Sequence, residues 1–339
     1  MIKEKILPMS FLHGRGHLVI ENAASEARRK LKALNRIAAP AGHLLTAAFG
    51  MQETQNSAEL DGIMTTQQDL YEYSLCPGSE QAEVRAARYG EAMDNGWREV
   101  AGGAGLPLDA IIRIRQTIAG SRTKWRKTSN AESPPPKLVP PMMAQLESKM
   151  HRQTDADPLV RMAMIHHRLR SIQPFDSDCS STGRVVNLLF LIKEGLLCAP
   201  VLYLSAYFNR THADYDRLQL GGGGGKEWLL YMLGGITITA KHAAQMAINI
   251  IAAHKNLKKR ISGNGHYHSN LPTALFVHPY INAPILAKEL WVSEEEAGEY
   301  LEALTVKGVL QRMRLLGEDI YINLAIMDIL LTQPELPIR

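Results

Sequence analysis

The sequence predicts an all-α main body followed by a smaller C-terminal domain that ends in a β-hairpin. Apolar residues recur at steps of three and four through most of the chain, which is the spacing of one helical face. No segment before about residue 315 shows the two-residue alternation of a half-buried strand. With 339 residues, 45% of them hydrophobic, the chain can bury a large core, and its length favours two domains over one.

Two helices on either side of a short polar turn are the clearest elements of the main body. The first begins at Pro158, because proline suits the first turn of a helix. Its apolar residues recur on one face: Met162, Ile165, Leu169 and Ile172. The second helix, after Thr182, is apolar almost all round, as expected in the centre of a bundle. Residues 173–181 between them, QPFDSDCSS, predict a polar turn.

Changes in composition predict the domain boundaries. The proline-rich stretch 129–141 predicts a surface connection, and Gly221–Gly225 predict a flexible connection between helices. The glycine run is not interpreted as a phosphate loop, because Glu227 follows Lys226 where serine or threonine is required. The predicted order is an N-terminal helical region (1–100), a core (101–254), a linker (255–270) and a C-terminal domain (271–330).

The C-terminal domain is predicted to contain three helices and then a strand pair. The predicted helices are 271–280, 283–290 and 293–310, and the strands are 310–316 and 320–324. Ser293 and Glu296 form a capping box for the third helix. Three helices followed by a hairpin is the winged-helix arrangement. The third helix opens with Glu294, Glu295 and Glu296, so we expect protein contact rather than DNA binding.

Charge and cysteine content narrow the class of protein further. The net charge of +4 is small for this length, so no global field indicates a nucleic-acid or membrane-surface binder. Cys76, Cys179 and Cys198 are odd in number and widely spaced, which argues against a disulfide framework or a zinc site. The N-terminal residues lack the apolar stretch of a signal peptide. We therefore expect a soluble protein of the cytoplasm.

The polar turn and the helices around it resemble the core of the Fic family. The family signature is His-Pro-Phe-x-Asp-Gly-Asn-Gly-Arg-x-x-Arg, and it aligns without a gap on residues 173–184, QPFDSDCSSTGR. Pro174, Phe175 and Arg184 match that signature. The flanking helices carry the rest of the resemblance, which implies a Fic-type helical bundle with a C-terminal winged helix-turn-helix domain.

A second resemblance lies upstream, in the segment QETQNSAELDGIMTT. It is similar to the inhibitory helix motif of the family, Ser/Thr-x-x-x-Glu-Gly/Asn. Ser57, Asp61 and Gly62 occupy the defining positions, with aspartate in place of glutamate. An ordinary helix end at Gly62 is the alternative interpretation.

The resemblance implies a protein that binds ATP with magnesium and transfers AMP to a hydroxyl side chain of a target protein. It assigns catalytic positions to Gln173 and Arg184, nucleotide contacts to Ser177, Thr182, Gly183 and Arg184, and an inhibitory contact to Ser57 and Asp61, while the metal ligands stay unknown. His166 falls on a core histidine of the family, so we predict a structural hydrogen bond there rather than a replacement base.

The residues of the turn do not meet the demands of that chemistry. Gln173 stands in the position of the histidine base and cannot take a proton at neutral pH. Ser177 replaces the magnesium carboxylate, although Asp176 or Asp178 could reach the metal from a shifted loop. The segment from Asp176 to Ser181 keeps its length while every residue differs, which two compensating frameshifts would produce.

Two hypotheses for the function follow. The first is a Fic-type AMP transferase with strongly reduced or absent catalysis and an unidentified target protein. The second is a pseudoenzyme that acts as a protein-interaction or regulatory module through its winged helix, with a homodimer as one form of that contact. We expect neither DNA nor a membrane as a partner.

Overall fold

The computed structural model describes residues 15–75, 81–129, 133–151, 156–219, 224–262 and 268–331. Within these ranges the main body consists of α1 (Arg15–Ala38), α2 (Gly42–Leu60), α3 (Gln67–Leu75), α4 (Gln81–Ala101), α5 (Leu108–Ala119), α6 (Val139–His151), α7 (Pro158–Ile172), α8 (Cys179–Lys193), α9 (Leu204–Arg210), α10 (His212–Gln219) and α11 (Gly224–Ser262). The C-terminal part consists of α12 (Leu271–Val277), β1 (Tyr280–Ile281), α13 (Ala283–Leu290), α14 (Glu294–Val306), β2 (Leu310–Leu315), β3 (Glu318–Asn323) and α15 (Leu324–Leu331). The predicted all-α fold is confirmed.

Helix α8 lies at the centre of the bundle and packs against α4, α5 and α7. Residues 185–191 are buried without interruption, as the all-round apolar sequence predicts. The predicted stripe of α7 is also buried, and Asp157 caps that helix by accepting a hydrogen bond from the Leu159 N–H at 2.8 Å. These two helices fix both ends of the polar turn, so the core packing positions the candidate site.

The connections differ from the prediction in two places. Helix α6 begins at Val139, so Pro140 and Pro141 lie in its first turn, where a missing N–H is tolerated. Helix α11 continues to Ser262, so residues 255–262 of the predicted linker are helical. Residues 130–132, 221–223 and 263–267 of the predicted connections lie outside the described residues. The domain boundaries themselves stay a prediction.

The C-terminal part contains the three helices and the hairpin that the sequence predicts. Its strands form an antiparallel sheet in the order β1-β3-β2, with Tyr280 opposite Ile322 and Leu310 opposite Asn323. The helix predicted at 271–280 is shorter in the structure. It ends at Val277, and Tyr280 and Ile281 then pair with β3. The Ser293 hydroxyl accepts a hydrogen bond from the Glu296 N–H at 3.1 Å. The winged-helix interpretation of this order stays a prediction.

None of the described helices is both long enough and apolar enough to cross a membrane.

Candidate active site

The motif loop, residues 173–181, joins the end of α7 to the start of α8. Helix α7 ends at Gln173, which adopts the left-handed conformation with φ 45° and ψ 63°. Asp178 before α8 is also left-handed, with φ 62°. This conformation disfavours every residue that carries a Cβ, and glutamine more than aspartate. Contacts with neighbouring residues therefore stabilise the loop backbone in this unfavourable conformation.

Arg126 makes several of the contacts that stabilise the loop backbone. Its side chain is only 3% exposed, and its Nε donates to the Gln173 carbonyl at 2.6 Å. The Arg126 backbone N–H donates to the Pro174 carbonyl at 2.9 Å. The guanidinium also donates to the carbonyls of Thr128 and Pro134. A single buried arginine thus ties the loop entrance to a coil segment almost fifty residues upstream.

Phe175 anchors the middle of the motif loop. Its ring stacks on Trp125 with 5.9 Å between the centroids, and the guanidinium of Arg115 lies 5.6 Å from its centroid. The Cys179 thiol donates to the Phe175 carbonyl at 3.4 Å, and burial raises the pKa of that thiol to about 11. Cys179 is therefore protonated at neutral pH and is not a reactive nucleophile.

A polar cavity of about 340 Å³ lies over the motif loop. Its lining includes Asp61, Arg85, Arg126, Thr128, Arg170, Gln173, Phe175 and residues 176–181. Asp61, Asp176 and Asp178 bring three carboxylates to this small volume. The guanidinium groups of Arg85, Arg126 and Arg170 line the same cavity, so its lining carries as many cationic as anionic side chains.

The carboxylates of the motif loop are held by neighbouring side chains. Asp176 accepts a hydrogen bond from the Thr128 hydroxyl at 2.9 Å, and Asp178 accepts one from the Ser177 hydroxyl. Arg85 approaches Asp178 to only 3.9 Å, and its side chain is half exposed. The partner of Asp176 thus comes from outside the loop, whereas the hydroxyl that donates to Asp178 belongs to the neighbouring residue.

The Arg184 lock, which we define as Ser57, Asp61, Ser181 and Arg184, closes the other side of the cavity. Arg184 is 2% exposed; its Nε donates to the Ser57 hydroxyl at 2.9 Å. Its Nη2 donates to the Ser57 carbonyl at 3.0 Å and to Asp61 Oδ2 at 2.7 Å. The Ser181 hydroxyl donates to the same Asp61 oxygen at 2.6 Å. Helix α2 is thus tied to the first turns of α8.

The charge of Arg184 is stabilised by this surrounding. Burial alone would lower the pKa of the guanidinium, but the Asp61 carboxylate together with Tyr215 and Tyr89 outweighs it, so the pKa of Arg184 lies above its ordinary value. A buried charge with a hydrogen-bonded partner is strongly destabilising only when the partner is removed. Removal of Asp61 would therefore leave the buried guanidinium without its charged partner.

A second buried carboxyl group lies one helical turn before Ser57. Glu53 accepts hydrogen bonds from the Tyr89 hydroxyl at 2.8 Å and from the Ser205 backbone N–H at 2.9 Å. The Ser205 hydroxyl also donates to it. Burial raises the pKa of Glu53 to about 7, although these hydrogen bonds and the charge of Arg184 act in the opposite direction.

His166 is a satisfied core residue, as predicted. Asn187 donates from its amide nitrogen to His166 Nδ1 at 2.8 Å, and the Tyr215 hydroxyl lies 2.9 Å from Nε2. Burial and, after it, the charge of Arg184 lower the pKa of His166 to about 3. A neutral imidazole that is already paired on both nitrogens and this weakly basic cannot replace the missing base.

The structure separates the predicted site residues into two groups. Gln173 and Ser177 line the cavity, and Ser177 lies near Arg115, whose Nη2 donates to its hydroxyl at 3.4 Å. Thr182 is buried outside that lining and donates to the Asp178 carbonyl at 2.6 Å. Gly183 is also buried, against the His166 ring. The pairing of Asp61 with Arg184 that the resemblance implies is observed, and Ser57 also contacts Arg184; the catalytic, nucleotide-binding and inhibitory roles stay predictions.

Sequence reasoning did not find the residues that support the loop. Arg115, Trp125 and Arg126 all contact it from the segment between α5 and α6 or from α5 itself. The signal was present as RTKWRK, a basic run with an aromatic residue at 122–127. Ser181, interpreted as a lost phosphate contact, has instead become a member of the Arg184 lock.

Asp176 and Asp178 are the carboxylates of the motif loop that could hold magnesium with a nucleotide triphosphate. Among the residues that the structure describes, no group of three His, Cys, Asp or Glu side chains could hold a metal ion, but magnesium beside phosphates needs only one or two carboxylates. Asp178, at the N-cap of α8, makes no capping hydrogen bond and places negative charge where a phosphate would need N–H donors. Asp176 adds a second negative charge beside it.

The arrangement defines a class of protein: a helical bundle whose central helix carries a polar loop at its start and a buried arginine held by an N-terminal helix. Residues 21–98 match the Fic/DOC family N-terminal region, and residues 105–191 match the Fic/DOC family. This chain belongs to the Fic family.

Solved structures of Fic proteins share the fold. A Fic family protein from Desulfovibrio desulfuricans G20 is 15% identical, with 90% of this chain and 95% of that chain covered and a TM-score of 0.57. A Fic domain containing signaling protein from Bacteroides thetaiotaomicron is 15% identical, with 68% and 98% covered and a TM-score of 0.51. Fic-1 from C. elegans is 14% identical, with 70% and 76% covered and a TM-score of 0.52.

Proposed function

We propose that this Fic protein derives from AMP transferases that use ATP and magnesium, and that its own catalysis is strongly reduced or absent. The observation that carries the proposal is Gln173, which lines the cavity at the position of the family histidine. Its carboxamide has no basic nitrogen at neutral pH. A hydroxyl nucleophile is weak without a positioned base, so this change alone lowers the rate by about 10²–10⁴-fold.

The charges around the cavity support the same proposal. The cavity lining carries carboxylates and guanidinium groups in equal number, so a triphosphate depends on guanidinium groups that are free to bind it. Arg126 already donates to backbone carbonyls, and Arg184 donates to Asp61 and Ser57. Arg170 donates to the Ser180 hydroxyl at 2.7 Å, so that guanidinium is engaged as well. These losses concern one unit of chemistry and do not add, so the base sets the lower limit of the deficit.

Labelled ATP with magnesium provides the test. The full chain is incubated with it and with a cell extract that contains candidate targets. A restored variant carries Gln173→His, Ser177→Asp, Asp178→Gly, Cys179→Asn, Ser180→Gly and Ser181→Arg. A Gln173→His, Ser177→Asp variant isolates the base and the metal ligand, and Gln68→His on the exposed face of α3 is the matched control.

We expect labelling by the restored variant and at least about a hundredfold less by the unaltered chain. Robust labelling by the unaltered chain would contradict the proposal. Calorimetry with ATP and magnesium separates binding from catalysis. We expect a dissociation constant above about 1 mM for the unaltered chain, which corresponds to less than about 4 kcal/mol of binding free energy.

An interaction module in the C-terminal part is the second candidate. Trp291 at the end of α13 is 94% exposed, and large aromatic side chains are over-represented at protein interfaces. The first turn of α14 carries Glu294, Glu295 and Glu296, which disfavours contact with phosphates. The candidate partner is a protein, either a target or a second copy of the chain.

Sedimentation and a gel shift test this candidate. If the partner is a second copy, Trp291→Ala lowers the dimer fraction at equal concentration. Leu18→Ala, a comparably exposed change on α1, serves as the control. Tight binding of duplex DNA at low salt would overturn the preference for a protein partner.

A further inference from the structure

A second and larger cavity lies away from the motif loop. It measures about 620 Å³ and opens between α2, α3, α4 and the segment Val277–Tyr280 that precedes α13. This volume is within the range of about 300–1,000 Å³ that small-molecule sites occupy. The cavity shares no lining residue with the cavity over the motif loop. It is therefore a separate candidate site.

The walls of this cavity are rich in aromatic rings. Tyr71, Tyr89, Trp97 and Tyr280 all contribute to the lining. Tyr71 and Tyr280 stack almost in parallel, with 5.3 Å between ring centroids and 4° between ring planes. This stack joins α3 to the C-terminal sheet and gives the cavity a rigid apolar wall.

The charges of the lining are mainly negative. Among the described residues of the lining, Glu91 and Asp94 bring carboxylates, and Arg98 and His278 are present with them. The Glu53 carboxyl group is buried, accepts hydrogen bonds from Tyr89 and Ser205, and has its pKa raised to about 7 by burial, so it adds little to this charge. Glu91 and Asp94 lie exposed at the rim, where they meet a ligand that enters from solvent. Aromatic faces together with carboxylates are the usual surroundings of a bound organic cation, because both attract positive charge.

We propose that the cavity between α2, α3, α4 and Val277–Tyr280 binds a small organic cation with an apolar body, such as a substituted ammonium. The aromatic wall would contact the apolar body, and Glu91 and Asp94 would face the positive charge. The proposal does not depend on whether the motif loop is active.

The chain offers a substitution that fills the cavity without a clash. Gly50 on α2 lines it, and a Cβ added there meets no atom within 4 Å. Glycine inside a helix is also less stable than a residue with a side chain, so Gly50→Leu keeps or raises the melting temperature. Gly298 on α14 has equally open space and lies outside the lining, so Gly298→Leu is the matched control.

Binding is measured on the full chain by calorimetry and ligand-observed NMR with three probes: benzyltrimethylammonium, benzyl alcohol and benzoate. We expect the ammonium to bind at least about tenfold tighter than the alcohol and the benzoate. Gly50→Leu weakens its binding about tenfold or more, and Gly298→Leu leaves it unchanged. Glu91→Gln weakens it about threefold or more, against an unchanged Glu295→Gln on the surface of α14.

Three results would overturn the proposal. One is the absence of saturable ammonium binding up to about 10 mM, since weaker binding is not specific. Another is equal affinity for the alcohol or the benzoate. The third is unchanged binding in Gly50→Leu, or in Glu91→Gln if Gly50→Leu does not fold.

Discussion

The motif loop and the Arg184 lock share Ser181, and they differ in burial. The side chains of the motif loop surround a polar cavity, and Asp176, Ser177 and Ser180 pair with residues outside the loop. The lock joins residues 127 positions apart, Ser57 and Arg184, and its guanidinium is fully buried. The lock places a charge in the core, whereas the loop places its charges around a cavity.

This difference explains how the loop can lose its signature while the fold persists. The loop backbone is held by Arg126 and by the stack of Phe175 on Trp125, and neither contact uses a side chain that differs from the family signature. Substitutions at 176–181 therefore act on chemistry first. A substitution in the lock acts on stability first, because it leaves a charge buried without its partner.

Arg184→Met tests this contrast with the largest effect. The change removes the guanidinium and leaves Asp61 without its charged partner and Ser57 without its donor. We expect the free energy of unfolding to fall by about 3–5 kcal/mol in urea denaturation, because three hydrogen bonds from a charged donor are lost at about 1.5 kcal/mol each. Arg85→Met is the control, since its 3.9 Å contact with Asp178 is exposed and contributes under about 1 kcal/mol. Equal losses in the two variants would end the distinction between lock and loop.

The pH dependence of stability tests Glu53, the buried carboxyl group one helical turn before Ser57 of the lock. Burial raises the pKa of Glu53 from 4.5 to about 7, so the folded chain binds more protons than the unfolded chain between these values. This contribution is complete below pH 4.5 and is lost as pH rises through about 7. We expect Glu53→Gln to gain about 3 kcal/mol relative to the unaltered chain between pH 5 and 8.

Denaturation at several pH values measures that difference in the free energy of unfolding. His166 contributes to the pH dependence with the opposite sign, but it is present in both chains and cancels in the comparison. The pKa of His166 is lowered to about 3, so its contribution rises with pH between about 3 and 6.5. Glu59→Gln, on the same helix but exposed, should leave the pH profile unchanged. A Glu53→Gln profile parallel to that of the unaltered chain would contradict the expectation.

Asp61→Ala has a smaller expected effect. Arg184 keeps its two hydrogen bonds to Ser57, and the Asp61 side chain is 23% exposed, so water replaces part of the lost contact. We expect a loss of about 2 kcal/mol in the free energy of unfolding, and about half of that for Asp61→Asn, which keeps an acceptor. If Asp61→Ala changes neither the melting temperature nor the affinity for ATP, Asp61 is not part of a lock.

Substitutions of Gln173 have the smallest expected effect on the free energy of unfolding. Its φ of 45° favours glycine, so Gln173→Gly should be more stable than Gln173→Ala by about 0.5–1 kcal/mol. At Gln145, an exposed interior position of α6, the order is reversed, because glycine is the poorer helix former there by about 0.5–1 kcal/mol. Thermal denaturation of the four variants provides the check. The same order at both positions would show that the loop entrance is not held in the left-handed conformation.

Much of the fold was open to prediction from periodicity. The buried stripe of α7 and the all-round burial of α8 follow directly from the spacing of apolar residues. The two-residue strand Tyr280–Ile281 was not predicted, because two residues cannot show an alternation. The sequence prediction ends α11 too early, because it interprets the basic residues after 254 as a linker. Lysine is a good helix former, and the helix continues to Ser262.

The site was predictable only in part, for a different reason. The contact of Ser57 and Asp61 with Arg184 was expected from the resemblance to the family, and the structure contains it. The role of Arg126 depends on tertiary contacts with Gln173 and Pro134, which no local pattern encodes. The spacing of residues in the sequence does not predict such long-range contacts of single side chains.

On the proposed function, the hydrogen bond from Ser181 to Asp61 also constrains how substitutions toward the family signature could raise activity. Reversion of Ser181 to arginine would place a second guanidinium beside the one carboxylate that Arg184 uses. The two cations would then compete for Asp61, and the bundle would lose part of its own support at that step. The order of reversions therefore matters, since the substitution that restores a phosphate contact is also the one that weakens the scaffold.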